Sequence, residues 1–159
     1  DRKSTNVSGI FSYLQEIYDE TKNPEDGRVK VDICWEKGES YAEENLLKTV
    51  LINLTDNAIK ASEEGQTVEI TGRRMENGYY FQVRDEGIGI PEEELQKVTE
   101  AFYMVDKSRS RAHNGAGLGL ALCTAILELH HSRLKIESTL GFGSCISFLI
   151  PDEGVKVDE

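Results

Sequence analysis

Two asparagines and a lysine recur at helical spacing in the stretch NLTDNAIKAS (53–62). On a helix that turns by about 100° per residue, Asn53, Asn57 and Lys60 fall in one narrow row, and Asp56 lies at its edge. A solvent-exposed row usually carries Glu, Lys, Gln or Arg, because Asn is a poorer helix former. The row therefore predicts either an unusual solvent face or the wall of a polar cavity. Amide oxygens in such a wall suit Mg²⁺, which is often completed by substrate phosphates.

A second candidate site is the glycine-containing stretch DEGIGIP (85–91), which follows a predicted strand. Asp85 precedes Gly87 and Gly89, and glycine lets the backbone approach a ligand closely or adopt a positive φ. A dinucleotide-binding fingerprint would need a third glycine at position 92, where the chain has Glu. The stretch is either a plain turn or a site where Asp85 accepts a hydrogen bond from an exocyclic amine, such as that of adenine.

A third candidate site, NGAGLGLAL (114–122), runs directly into an apolar helical pattern. Its glycines, Gly115, Gly117 and Gly119, are either flexible spacers or the approach to a helix N-terminus, which offers N–H groups and a positive dipole end to phosphate. No Walker A sequence occurs in the chain. Cations on alternate positions upstream favour a polyphosphate ligand: Lys107, Arg109 and Arg111.

Turn signals and hydrophobic periodicity predict the elements that position these sites. Helices are predicted at 9–21 (capped by Ser8), 43–62, 92–98 and 118–131, and strands at 29–35, 66–75, 79–85, 133–139 and 144–150. Residues 102–119 have the composition of a loop, Asn77-Gly78 predicts a hairpin turn, and His130-His131 predicts a helix end where an imidazolium would favour the dipole. The expected fold is an α/β (α+β) two-layer sandwich, with a mixed, largely antiparallel sheet of about five strands and three main helices on one face.

The composition is that of an ordinary globular protein, with 159 residues, 38% hydrophobic and 30% charged. The net charge of −11 argues against a nucleic-acid surface. No apolar run approaches the ~20 residues that span a bilayer, and the first residues do not resemble a signal peptide, so we expect a soluble chain. Three scattered cysteines argue against a disulfide framework and a zinc site. We expect one domain at 1–152 and a loose tail at 153–159.

Four stretches, in this order along the chain, resemble the signatures of sensor histidine kinase catalytic domains. NLTDNAIKAS (53–62) resembles the N box, DEGIGIP (85–91) the first glycine box, AFYMVDKSRSR (101–111) the F box, and NGAGLGLALCTAILELHH (114–131) the second glycine box. The closing stretch IESTLGFGSCISFLIP (136–151) is also similar to the end of that domain. The resemblance implies the Bergerat ATP-binding fold of the GHKL superfamily and, from the F box, its histidine kinase branch.

The resemblance also implies roles for single residues. Asn57 would ligate Mg²⁺ that bridges the ATP phosphates, with Asn53 beside it and Lys60 near the phosphates, so that Asn57 and Lys60 would be the catalytic residues. Asp85 would recognise the adenine amino group. The other ATP-binding residues that the resemblance implies are Gly87, Gly89 and Ile90 in the base pocket, Tyr103, Lys107, Arg109 and Arg111 in a lid, and Gly115, Gly117, Leu118, Gly119 and Leu120 at the lid hinge and triphosphate.

The chain departs from the family pattern at four places. Ala61 stands where an aromatic residue is frequent, Cys145 where Thr is common, His131-Ser132 where two glycines are usual, and Met104 where Arg is frequent. We expect Ala61 to leave one wall of the nucleotide pocket more open and Cys145 to make a weaker contact to an adenine-side water network. We expect His131-Ser132 to alter the helix-to-strand turn and Met104 to remove one cation from the lid.

The resemblance implies a protein-histidine kinase that transfers the ATP γ-phosphate to a histidine in two-component signalling. No histidine of this chain has the sequence context of a phosphoacceptor. The acceptor would therefore lie on the protein's own dimerisation domain, before Asp1. The expected cofactors are ATP and Mg²⁺.

The expected partners are that dimerisation domain and, through the full-length kinase, a response regulator; nucleic acid is not expected. The full-length protein would be a homodimer and the isolated domain a monomer, located in the cytoplasm as part of a membrane-anchored sensor kinase. Two alternatives remain open at this point: a GHKL serine kinase of the anti-sigma type and a non-catalytic nucleotide-binding module.

Overall fold

The computed structural model describes residues 1–18, 29–87, 116–139 and 141–155, with only the backbone for residues 116–118 and 139. Within these ranges the chain forms three helices: α1 (Val7–Ile17), α2 (Glu44–Ala61) and α3 (Ala116–Leu129). The strands are β1 (Lys3–Asn6), β2 (Lys30–Trp35), β3 (Glu39–Ala42), β4 (Thr67–Arg74), β5 (Gly78–Asp85), β6 (Lys135–Thr139) and β7 (Gly143–Pro151). The helix predicted at 92–98 lies outside the described residues.

Five of the strands form one mixed sheet in the order β2-β4-β5-β7-β6. β2 runs parallel to β4, and the other neighbouring pairs are antiparallel. Side chains on one face are buried and apolar, such as Ile70 and Phe81, whereas Glu69 and Arg84 on the other face are exposed. Because α1 and α2 contact the apolar face, the predicted two-layer α/β sandwich is confirmed.

β1 and β3 form a separate antiparallel ribbon that the sequence pattern does not predict. Each strand has only four residues, too few to show a clear period-two alternation. Arg2 fastens the ribbon to the main sheet, since Nε donates to the Tyr41 carbonyl at 3.0 Å and a terminal nitrogen to the Pro151 carbonyl at 3.1 Å.

α1 begins two residues before its predicted start, because Asn6 and not Ser8 is its N-cap. The Asn6 Oδ1 accepts a hydrogen bond from the Ser8 N–H at 2.9 Å. Both residue types are good caps, and the choice follows from β1, whose last residue, Asn6, keeps the extended backbone that a cap requires. The helix ends at Ile17 instead of the predicted Thr21.

The core is built around Phe11 of α1, which packs on the sheet at the middle of β4. Its ring stacks against Trp35 with centroids 5.2 Å apart and against Phe81 at 5.8 Å. A Cβ at Gly72 would lie 2.5 Å from Phe11 Cζ, so glycine is required for this approach. The aromatic contacts continue from Phe81 to Phe148 of β7 at 5.1 Å, which joins α1 to three strands of the sheet.

α2 matches the predicted helix at 43–62 to within one residue at each end. The Glu43 carboxylate caps it by accepting from the Leu46 N–H at 2.8 Å and from the Asn45 N–H at 3.3 Å. The bond from Leu46 is the main reason why the pKa of Glu43 is lowered. The apolar arc that faces the core comprises Leu47, Val50, Leu51, Leu54 and Ala58.

α3 ends two residues earlier than predicted and closes with a Schellman motif. The Ser132 N–H donates to the Leu127 carbonyl at 2.8 Å and the His131 N–H to the Glu128 carbonyl at 3.1 Å. His131 has φ 56° at the position where glycine is usual. The expected difference in the helix-to-strand turn is thus carried by a strained non-glycine residue.

His130 is buried, with 1% of its surface exposed, and the predicted imidazolium at the end of α3 is wrong for this residue. Its Nε2 accepts from the Glu43 N–H at 3.1 Å, and its Nδ1 lies 2.8 Å from the Ile126 carbonyl oxygen. This pair of bonds requires the neutral ring protonated on Nδ1. Burial lowers the pKa of His130, which favours that neutral form.

The predicted hairpin at Asn77-Gly78 joins β4 to β5, as the antiparallel register of these strands confirms. Asn77 and Gly78 do not take positive φ, and the Met75 N–H donates to the Gly78 carbonyl at 2.9 Å. Gly78 is needed for a different reason, because a Cβ there would overlap the Ile150 carbonyl of β7.

No helix in the described ranges is long and apolar enough to cross a membrane.

Candidate functional site

Asn53 and Asn57, which helical spacing predicts to lie on one side of α2, both face the first turn of α3. A Cβ placed on Gly119 would lie 3.6 Å from Asn53 Oδ1 and 3.8 Å from Asn57 Nδ2. Both amide groups therefore point at the same space beside α3. A methyl group on residue 119 would be in van der Waals contact with both amides.

The Asn57 amide has an unpartnered polar atom. Its Nδ2 is buried and has no hydrogen-bond partner among the described residues. Leaving a buried polar group unpaired costs about 1–3 kcal/mol, so such an atom calls for an explanation. Because the amide nitrogen and oxygen can exchange positions by a flip, the free atom can serve either a donor or an acceptor ligand.

Gly117 and Gly119 lie within α3 and not in a loop before it, because the helix starts at Ala116. The predicted loop at 102–119 is therefore wrong for residues 116 and 117, and at 118 and 119, where the two predictions overlap, the predicted helix is the observed structure. The consequence is that the first turn of α3, whose N–H groups have no partner within the helix, lies beside the asparagines of α2. Such a turn attracts anions through its N–H groups and dipole.

The remaining polar residues of this stretch, Lys60 and Asp56, have other surroundings. Lys60 is exposed at the last turn of α2. Asp56 turns away from Asn57 and accepts a hydrogen bond from the Tyr18 hydroxyl at 2.9 Å. Burial and the Asp56 charge raise the pKa of Tyr18. Asp56 is thus engaged on the side of α1, in agreement with its expected place at the edge of the row.

Asp85 is buried at the end of β5, with 6% of its surface exposed, and its carboxylate is held by three hydrogen bonds. Oδ1 accepts from the Gly87 N–H at 2.8 Å and from the Ser144 N–H at 3.3 Å, and Oδ2 accepts from the Ser144 hydroxyl at 2.7 Å. A carboxylate oxygen has room for two hydrogen bonds, so Oδ2 keeps acceptor capacity for a ligand amine.

Ser144 is a site residue that the sequence did not identify. It is the second residue of β7 and pairs with Asp85 across the β5–β7 ladder. The preceding Gly143, with φ +100°, permits this pairing because a Cβ there would overlap the Asp85 carbonyl. The motif Gly-x-Gly-Ser before a predicted strand was the available signal, but only the strand order shows that it lies beside Asp85.

The loop after Asp85 rests on the end of α2. A Cβ on Gly87 would overlap the Ala61 carbonyl oxygen, so glycine is needed for this contact. Ala61 is four residues after Asn57, which is about 6 Å along a helix axis. The Asp85 loop and the Asn57 amide therefore lie at successive points along α2, about one turn apart.

Several predicted site residues lie outside the described part of the chain: Gly89, Ile90, Tyr103, Lys107, Arg109, Arg111 and Gly115. Leu118 is placed in α3 by its backbone, and Leu120 is buried in the core. Among the residues that are described, no group of three or more His, Cys, Asp or Glu side chains could hold a metal ion.

Comparison with known protein families gives one match that covers most of the chain. Residues 42–154 match the family described as histidine kinase-, DNA gyrase B-, and HSP90-like ATPase. This span includes Asn53, Asn57, Asp85 and Gly119.

Curated relatives of the chain are sensor kinases. The circadian input-output histidine kinase CikA of Synechococcus elongatus is 42% identical over 112 residues, which are 70% of this chain and 15% of that protein. The phosphate regulon sensor protein PhoR of Haemophilus influenzae is 42% identical over 111 residues, 70% of this chain and 26% of that protein. Sensor histidine kinase WalK of Bacillus subtilis is 37% identical over 119 residues, 74% of this chain and 20% of that protein. The chain spans at most about a quarter of the length of these relatives.

Solved structures share the fold along nearly the whole chain. The nucleotide-free catalytic domain of histidine kinase ThkA has a TM-score of 0.78 at 25% identity, with 95% of both chains covered. Full-length ShkA in complex with AMPPNP has a TM-score of 0.73 at 23% identity, covering 95% of this chain and 31% of that chain.

Proposed function

Because the chain belongs to the histidine kinase-, DNA gyrase B- and HSP90-like ATPase family and has the fold of a histidine kinase catalytic domain, we propose that it binds ATP between α2 and α3 and supplies the γ-phosphate to a histidine of its own kinase. The observation that carries this proposal is the unpartnered Asn57 amide, which faces Gly119 on α3 and lies one turn of α2 from the Asp85 loop.

The residues of the site divide the nucleotide between them. Asp85 Oδ2 accepts a hydrogen bond from the adenine amino group, while Gly87 lets the base-pocket loop pack directly against the end of α2. The phosphates are held by Asn53, Asn57 and the first turn of α3. Further contacts to the phosphates come from Lys60 and from the lid residues Tyr103, Lys107, Arg109 and Arg111. Positioning and neutralisation of charge are the main requirements of phosphoryl transfer.

Mg²⁺ fits the donor set of this site, since a neutral amide oxygen and phosphate oxygens are hard ligands of the kind that it prefers. Asn57 is the protein ligand in this proposal. When bound, the ion would neutralise phosphate charge. Asn53 and Asn57 are both neutral and cannot act as a general base towards water, so the site favours holding ATP for an incoming acceptor over hydrolysing it.

The acceptor histidine belongs, in this proposal, to a helical dimerisation domain of the same protein. The intact kinase would be a homodimer that passes its phosphoryl group to a response regulator, and the 159-residue chain by itself a monomer. We further propose that the chain is the cytoplasmic domain of a membrane-anchored sensor kinase, with residues 1–152 as the domain and 153–159 as its tail.

The proposal is tested by mixing the 159-residue chain with the native dimerisation domain, Mg²⁺ and γ-labelled ATP. We expect label on the dimerisation domain, lost in acid and retained in alkali, as phosphohistidine behaves. Label that survives acid would indicate a serine kinase instead. Binding of ATP without any transfer would indicate a nucleotide-binding module.

A further inference from the structure

Gln66 makes hydrogen bonds at both ends of its side-chain amide and joins two segments of the site. Its Oε1 accepts from the Glu63 N–H at 2.8 Å, within the turn that follows α2. Its Nε2 donates to the Glu86 carbonyl at 3.1 Å, 20 residues away in the chain. Glu86 lies between Asp85 and Gly87, so the bond acts on the loop that holds the carboxylate.

The backbone of Gln66 is also held by hydrogen bonds, which fixes the point from which its side chain extends. The Gln66 N–H donates to the Glu63 carbonyl at 3.0 Å, and the Gln66 carbonyl accepts from the Lys30 N–H of β2 at 3.0 Å. Gly65 has φ +88°, as the third residue of a type II turn requires. Side-chain entropy is therefore already restricted when the bond to Glu86 forms.

The opposite side of the Asp85–Gly87 loop is held by β7. Gly143 packs on the Asp85 carbonyl and on Glu86 Cα, and Ser144 makes two hydrogen bonds to the carboxylate. On the α2 side, the Ala61 carbonyl meets Gly87 through packing alone. Among the described residues, Gln66 adds the directional polar bond from the turn after α2 to this loop.

We propose that Gln66 is a positioning residue for base recognition: its bond to the Glu86 carbonyl fixes the Asp85 carboxylate relative to α2, at the place that the adenine amine of a bound nucleotide occupies. This inference rests on the proposed binding of ATP at the site. It predicts that Gln66 acts on the recognition of the base amine and not on the phosphates, which α2 and α3 hold.

The test compares two nucleotides that differ at the group in question. ATP carries a 6-amino group, and inosine triphosphate (ITP) carries a 6-oxo group that cannot donate to Asp85. The affinities of the 159-residue chain for both are measured by titration calorimetry with Mg²⁺, for the wild type and for Gln66→Met, which keeps the length of the side chain and removes both bonds. Gln82→Met is the matched control, because Gln82 bonds to Tyr80 within β5, away from the loop.

Gln66→Met should weaken ATP binding about three- to tenfold, the range expected for one misplaced hydrogen bond, and leave ITP binding unchanged. Gln82→Met should change neither affinity. Equal weakening of ATP and ITP by Gln66→Met, or no weakening of either, would overturn the inference.

A second variant keeps the test valid if Gln66→Met does not fold. Gln66→Glu retains the acceptor for the Glu63 N–H but loses the donor to Glu86, and its added charge acts equally on both triphosphates. The ATP/ITP affinity ratio should therefore still fall. A wild-type ratio of one would overturn the Gln66 inference alone, whereas a wild type that binds neither nucleotide would overturn the proposed function together with it.

Discussion

Replacement of Asn57 by alanine should separate ligand binding from stability. At most positions a buried polar side chain has partners, and its removal costs both. At Asn57 the Nδ2 atom is buried without a partner among the described residues, and it faces Gly119, which has no side chain to contact it. The amide is therefore expected to find its partner in the ligand, so that truncation harms the complex and spares the free protein.

The magnitude follows from these contacts. If the contact of the Asn57 amide with the charged ligand contributes as much as a hydrogen bond to a charged group, about 1.5–3 kcal/mol, its loss corresponds to about 10- to 150-fold in affinity for Mg²⁺-ATP. In the free protein, lost packing of the side chain is offset by removal of an unsatisfied polar atom. The free energy of unfolding of Asn57→Ala should consequently stay within about 1 kcal/mol of the wild-type value.

The assay pairs titration calorimetry with ATP, in the presence and absence of Mg²⁺, with urea denaturation of the same samples. Asp56→Ala is the matched control on the adjacent residue, because it removes the bond from the Tyr18 hydroxyl and leaves the row facing α3 intact. It should lower the free energy of unfolding by about 0.5–1.5 kcal/mol and leave ATP affinity unchanged. Unchanged Mg²⁺-ATP affinity in Asn57→Ala would refute the assignment of Asn57 as the metal ligand.

Three further substitutions test other parts of the site and the fold. Asp85→Asn should abolish the preference for ATP over GTP in competition binding, because an amide exchanges an acceptor for a donor; an unaltered preference would remove Asp85 from base recognition. Gly119→Ala should raise the free energy of unfolding by up to about 1 kcal/mol, because alanine has the higher helix propensity. The same substitution should weaken ATP binding, since its Cβ enters the space facing Asn53 and Asn57. Stronger ATP binding would contradict this geometry. Because burial lowers the pKa of His130, the unfolded chain binds the proton more tightly than the folded one. The free energy of unfolding measured in urea should therefore fall as the pH drops below about 6.5. His130→Gln should make this pH dependence shallower, and an identical pH dependence would exclude His130 as its source.

The elements that the sequence predicted well are those whose signals are local. α2 has a long apolar arc and clear end signals, and its predicted bounds differ from the observed Glu44–Ala61 by one residue at each end. The polar row on α2 follows from helical geometry alone, so Asn53 and Asn57 could be assigned to one side of the helix without any tertiary information, although not to a cavity wall rather than a solvent face. Asp85 was identifiable because a strand pattern ends directly before a glycine-containing turn.

Features that depend on contacts between distant segments were not predictable in the same way. Ser144 approaches Asp85 only because β7 pairs with β5, and Gln66 reaches Glu86 across 20 residues. His130 looked like a helix-end cation, but the Glu43 N–H supplies a partner that requires the neutral ring. In each case the residue type was compatible with several roles, and the packing of remote elements selected one.

The shared position of α2 explains why the site carries so many small or neutral residues. The helix contacts the sheet through its apolar arc, faces α3 through its asparagines, and meets the Asp85 loop at Ala61. A large side chain at Gly87 or Gly143 would push that loop away from α2 or β7, and a charged side chain at Asn57 would be costly to bury without a ligand. Glycines and amides satisfy both constraints, because glycines allow close approach and a neutral amide costs less to bury than a charged group. On the proposed binding of ATP, the Asn57 amide contacts the ligand, so nucleotide binding should raise the stability of the wild type more than that of Asn57→Ala.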